Sequence, residues 1–136
     1  MSPETYSEKV SVNINTATLS AIDLLVDNGY YSNRSDFINQ ALRAELQRQQ
    51  SITDRLIRRN EQKAENDHDW FIGIYSITAK DVEEMHRSGE CTDINGYGLL
   101  IIHGGCDEEK LFQAVRSISV RGRVKASAAV KKHYGL

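Results

Sequence analysis

The sequence lacks any apolar run near the roughly 20 residues that a membrane-spanning helix needs. Its N-terminus, Met1-Ser2-Pro3-Glu4-Thr5-Tyr6, lacks the basic region and apolar core of a signal peptide. These absences read as a cytoplasmic protein with no membrane partner. Cysteine is scarce. Cys91 and Cys106 are the only two, which fits a reducing compartment and leaves a disulfide between them open. Neither an internal repeat nor a low-complexity tract is evident. No nucleophile, base and orienting acid stand at motif spacing, so neither enzymatic activity nor a cofactor is expected. An excess of positive charge is missing too: 17 Lys and Arg meet 19 Asp and Glu, for a net charge of −2. That argues against a grip on nucleic acid by bulk charge, and any such contact must come from local placement.

What is present is ordinary in bulk and informative in order. The 136 residues are 40% hydrophobic and 26% charged, the composition of a globular chain with room for one domain or two small ones. Lys9 to Leu46 carries the most information. Val10, Val12 and Ile14 alternate with Lys9, Ser11 and Asn13, the period of a strand with one apolar and one polar face. A strand this short has an unsatisfied backbone edge and an uncovered apolar face. No second alternating strand follows by a tight turn, so the cheapest partner is the same strand of a second copy. The resulting two-stranded ribbon, polar on one side, fits the DNA major groove.

Asn15 is placed to cap a helix from about Thr16, with Leu19, Ile22, Leu25 and Val26 on one face and Asn28-Gly29 as its stop. Tyr30-Tyr31 bridge the turn. Ser32 or Asn33 caps a second helix, and Asp36 stands where Asn33 would need a capping-box partner. Phe37, Ile38, Ala41, Leu42 and Leu46 form its stripe. Residues 1–7 read as a flexible arm, 1–48 as a first domain, and 49–69 as a helical extension fraying into a linker.

Residues 70–136 read as a second, small domain in the order β-α-β-α-β-α, giving an α+β chain overall. Strands are expected over Trp70 to Ile77, Tyr97 to His103 and Val120 to Val124. The helices are capped by Thr78 with Asp81, by Asp107 and by Ser127, the middle one running through Leu111, Phe112, Val115 and Ile118. Charge divides this half. Residues 70–120 carry four cations against eight acids, whereas Arg121, Arg123, Lys125, Lys131 and Lys132 follow with no acid.

Lys9-Val10-Ser11-Val12-Asn13-Ile14, followed by Gly29-Tyr30-Tyr31-Ser32-Asn33-Arg34-Ser35-Asp36-Phe37-Ile38-Asn39-Gln40-Ala41-Leu42, resembles the ribbon-helix-helix family of dimeric DNA-binding proteins, which includes CopG-, Arc- and MetJ-like members. The resemblance covers the first third of the chain. It implies an intertwined homodimer whose ribbon turns Lys9, Ser11 and Asn13 toward base edges. Asn pairs bidentately with adenine, Lys donates to guanine, and Ser donates or accepts. Two chains imply a two-fold related operator on double-stranded DNA. The start of the second helix, Ser32, Asn33, Arg34 and Ser35, would hold phosphate without reading sequence.

The resemblance thus implies a sequence-specific transcriptional regulator, acting as a repressor. Residues 1–50 carry four cations against six acids, so one dimer alone would bind modestly. Cooperative dimers, tetramers or larger assemblies, or help from the basic C-terminal stretch, would offset that. Two alternatives stand beside this reading. One is an antitoxin that autoregulates its operon, with residues 48–69 wrapping a toxin. The other is a dimeric scaffold whose Ser11 and Asn13 merely face water. Arg121, Arg123 and Lys125 alternate on one strand face, where they would touch DNA flanks, a partner subunit or only solvent. His86, Cys91, His103 and Cys106 have ligand chemistry for zinc, nickel or copper. The close His-x-His pair followed by Cys of nickel-responsive members is missing, so no metal is expected. Gly104-Gly105 reads as a turn more readily than as an anion cradle, with Asp107, Glu108 and Glu109 alongside.

Overall fold

Local hydrogen bonds set the helix starts. Asn15 Oδ1 accepts from the Ala17 and Thr18 N–H groups at 2.9 and 3.4 Å and opens α1, Thr16–Asp27. Asn33 Oδ1 accepts from the Asp36 N–H at 2.8 Å and opens α2, Arg34–Arg48. The expected capping box is displaced by one residue, because the Asp36 carboxylate reaches back to the Ser32 N–H rather than to that of Asn33. The computed structural model describes residues 6–64 and 69–136. Part of the expected N-terminal arm and part of the expected linker therefore lie outside the described residues.

The chain divides at Gln50/Ser51 into two compact units. The first holds α1 and α2. The Tyr31 and Phe37 rings meet edge to face at 4.9 Å, and Arg34 grips Asp23 with two parallel N–H···O bonds of 2.7 and 2.8 Å. Ile22 is the one buried side chain among its described residues.

The second unit begins with α3, Gln50–Ala64 being its full span. Within residues 49–69, read as a helical extension fraying into a linker, Gln50–Ala64 is a separate 15-residue helix. Beyond it run β1 (Asp69–Ile77), α4 (Ala79–Ser88), β2 (Thr92–Ile102), α5 (Glu108–Ala114), β3 (Val115–Lys125) and α6 (Ala128–Tyr134). The three strands are parallel, in the order β1-β2-β3. Caps fall where the sequence places them. Thr78 and Asp81 close a full capping box, and Asp107 and Ser127 accept from Lys110 and Val130 N–H groups.

Two boundaries differ from the sequence expectation. Val115 and Ile118 continue the helical spacing of Leu111, yet they are strand, because β3 pairs with β2 from Val115↔Thr92 onward. β-Branched residues gain more from a pleated, two-sided environment than from another helical turn. β2 likewise starts at Thr92, five residues before the expected Tyr97. Asn95-Gly96 reads locally as a turn, but Gly96 lies under the Phe71 ring, where a Cβ would sit 2.4 Å from ring carbons.

α4, α5 and α6 cover one face of the sheet. Ile77, Val82, Ile94, Leu100, Leu111, Val115 and Val130 are almost fully buried there. The sheet register also reveals a repeat that the sequence reading missed. Gly73, Gly98 and Gly122 are directly paired across all three strands. Each is followed by alternating inward residues and then a capped helix with a central core residue: Val82, Leu111 or Val130. The units share a geometry and few identities, so residue similarity alone conceals them.

Tyr134 locks the last unit onto the others. Its hydroxyl donates to the Val115 carbonyl at 2.8 Å and lies 3.4 Å from that of Leu111. Burial, with a smaller contribution from Cys91, pushes its pKa up to about 12, against about 10 in an unfolded chain. The fold favours the neutral phenol, so this contribution is complete below about pH 10 and is lost as pH rises through about 12. A phenolate absorbance titration should show a late-ionising tyrosine that disappears in Tyr134→Phe. Retention of the late phase in that variant would assign it to Tyr75, whose pKa burial also raises.

Candidate nucleic-acid interface

Residues 6–15 precede α1 and make no strand within the single chain. Val10 and Val12 are 77% and 70% exposed. Lys9, Ser11 and Asn13 are exposed as well, and Ile14 is half-buried. An isolated strand has no ladder partner, so the absence of strand hydrogen bonds in one chain follows directly from the sequence pattern. The helices behind it are equally incomplete. Leu24 is 65% exposed and Leu46 64%, with Leu42 close behind. The first unit thus presents apolar residues from three segments and buries almost none of them.

At the start of α2 the four residues expected to meet phosphate have separate roles. The Asn33 side chain is consumed as the cap, and the Ser32 N–H is held by Asp36. Arg34 is held by Asp23, which keeps that carboxyl below the usual carboxylate range, chiefly through the Arg34 hydrogen bond. The pair is exposed, and its contribution is present above the ordinary carboxylate pKa and fades as pH falls below it. Arg34 Nη1 is not used in that pair, so one edge of the guanidinium still points outward. Ser35 is exposed, and the N–H groups of Arg34 and Ser35 occupy the first two helical positions, where no intrahelical acceptor exists. These groups together form a small donor cluster at the positive end of a 15-residue helix.

The second unit brings other candidates into relation. Arg121, Arg123 and Lys125 share the uncovered face of the sheet, paired in register with Tyr97, Leu99 and Ile101. The same face carries Ile72 and Ile74 on β1, so it is apolar along one side and basic along the other. A cleft of about 300 Å³ separates α3 from this face, lined by Leu56, Ile57, Trp70, Ile72 and Tyr97 with Thr53 and Asn60. One basic cluster escaped the sequence reading. Arg55, Arg58 and Arg59 line a shallow depression on α3 with Ser51 and Gln62. The signal was present as i, i+3 and i+4 spacing, but it carries meaning only once the segment is known to be helical.

The four candidate ligands fall into two separate pairs, His86 with Cys91 at Gln113 and His103 with Cys106 at the Ile77 carbonyl. His86 Nε2 lies 2.9 Å from Gln113 Oε1, and Cys91 Sγ lies 3.5 Å from the Gln113 carbonyl. His103 follows the opposite end of β2, about 40 Å along the chain from Cys91 at 3.3 Å per residue. Cys106 lies 4.0 Å from the Ile77 carbonyl, and burial raises its pKa. Both thiols are free. No group of three His, Cys, Asp or Glu side chains is placed to share a metal among the described residues. Gly104 and Gly105 form the turn that leads to Asp107. No helix among the described residues is long and apolar enough to cross a membrane.

An alternating segment with no strand partner among the described residues, joined to two capped amphipathic helices and a three-stranded parallel sheet, defines a two-part protein. The chain belongs to the Ribbon-Helix-Helix transcriptional regulator family, whose model matches residues 5–131. The family match therefore runs through both units, well beyond the first third that carries the motif. No curated protein and no solved structure matches the chain.

Proposed function

We propose that this chain is a sequence-specific DNA-binding repressor. Residues 9–14 of two copies pair as an antiparallel ribbon, with Val10, Val12 and Ile14 turned onto α1 and α2. Lys9, Ser11 and Asn13 face base edges in the major groove of a two-fold related operator. The Arg34 and Ser35 N–H groups, with the outward edge of the Arg34 guanidinium, fix the register on phosphate. The observation that carries this reading is the exposure of Val10 and Val12 beside Leu24, Leu42 and Leu46. Each such residue gains about 1.5–3 kcal/mol on full burial, and a second copy supplies matching surface from the same segments. The net negative charge of residues 1–50 makes base contacts and assembly, rather than bulk attraction, the source of affinity.

Incubation of the full-length protein with fragmented genomic DNA, followed by sequencing of the retained fragments, tests this. A shared sequence with two-fold symmetry is expected, retained more weakly as salt is raised. No retention at low or moderate salt would leave the chain as a dimeric scaffold, and retention without sequence enrichment would make it a non-specific DNA binder.

A further inference from the structure

The glycine row of the second unit is unfinished at both ends, and the two ends complement each other. A Cβ on Gly98 would lie 2.0 Å from the Gly73 carbonyl oxygen, and one on Gly122 would lie 2.0 Å from that of Gly98. Only hydrogen fits there, as a Cα–H···O contact between neighbouring strands. Gly73 has the same left-handed backbone, with φ of 101° beside 126° and 143° for the other two. Yet the space its Cβ would enter is empty. Within one chain, Gly73 has the shape for a close approach and nothing approaching it. At the other edge, β3 carries the Gly122 carbonyl with no strand beyond it among the described residues.

The helices show the same phase. Lys110, just before the core residue Leu111, donates to both oxygens of Glu83, just after the core residue Val82, at 3.0 and 2.8 Å. Extended by one unit, the pattern brings Lys131, just after Val130, to Asp81, just before Val82 of another copy. The charges are opposite again, with their order exchanged. Asp81 caps its own helix through Oδ2 and keeps Oδ1 for such a contact. A cleft of about 340 Å³ already runs along the open side of β3, lined by Val120, Gly122, Arg123, Val124, Lys131 and Leu136.

We propose that the second unit assembles head to tail with a second copy of this chain. β3 of one copy pairs in parallel with β1 of the next, Gly122 against Gly73, and α6 lies beside α4. Pairing of like edges would set Lys131 against Lys131 or Asp81 against Asp81, which disfavours a two-fold arrangement. Because the two surfaces differ, the assembly continues until a ring closes. The N-terminal pairing proposed above is separate from this interface and by itself yields no more than a dimer.

Sedimentation velocity on the full-length protein without DNA, across a range of concentrations, decides the matter. Wild type should grow beyond a dimer as concentration rises. Gly73→Ala and Lys131→Glu should each weaken that growth about tenfold or more, through a Cβ at the strand contact and through like charge at the helix contact. A wild type that never exceeds a dimer overturns the proposal, as does unchanged association of a folded Gly73→Ala protein. Should Gly73→Ala fail to fold by circular dichroism, Lys131→Glu decides alone: wild-type association in that variant overturns the proposal, and weakened association supports it.

Discussion

Replacing Asn13 with alanine is expected to weaken binding of the selected DNA about thirtyfold or more while leaving the size of the free protein unchanged. A good bidentate contact to a base contributes about 1–3 kcal/mol of discrimination, and a two-fold complex loses it twice. Asn13 is exposed, and its side chain holds no hydrogen bond to the helices behind it, so its removal should cost the fold little. Fluorescence anisotropy with the selected DNA and a mutated site measures the loss. Sedimentation of the free variant measures the oligomer. Equal affinity of variant and wild type would remove the ribbon from the groove. A loss accompanied by dissociation to monomers would place Asn13 in the subunit contact instead.

The second large effect concerns the sheet. Gly98→Ala is expected to destabilise the second unit by about 4 kcal/mol or more, within the range reserved for specific structural violations. Its Cβ would overlap the Gly73 carbonyl oxygen, a backbone atom that cannot rotate away. The backbone there also has φ of 126°, a region strained for any residue with a Cβ. Two comparisons separate the causes. Gly73→Ala shares the positive φ but meets no atom, so only the backbone strain of about 1–3 kcal/mol applies. Gly104→Ala has neither burden and should melt near the wild-type temperature. Thermal denaturation followed by far-ultraviolet circular dichroism should rank them Gly98, then Gly73, then Gly104. Equal melting of the Gly98 and Gly73 variants would mean that strain alone, and not the close strand contact, makes glycine necessary.

Several features were readable without a fold because their causes are local. Asn15, Asn33, Thr78, Asp107 and Ser127 each satisfy N–H groups two or three residues away, and such a bond needs nothing from the rest of the chain. The alternation of Val10, Val12 and Ile14 with polar residues is likewise local, as is the conclusion that it needs a partner. The α5/β3 boundary was not readable. Val115 and Ile118 satisfy helical and strand patterns equally, and only the ladder to β2 chooses between them. The separate roles of Ser32, Asn33, Arg34 and Ser35 were also hidden. Asp23, eleven residues upstream of Arg34, is what claims the guanidinium.

The sequence by itself determined where the five capped helices begin, that residues 9–14 form a strand-like segment with nothing to pair with, and that charge favours contacts at chosen points over bulk attraction. These rest on spacing within a few residues and on simple counts. Only the tertiary structure decided the repeat. Gly73, Gly98 and Gly122 are far apart in the chain, and their meaning comes from lying side by side across parallel strands, where a carbonyl oxygen approaches Gly98 and Gly122 too closely for any side chain. That contact exists between strands and not along one, so no window of sequence contains it.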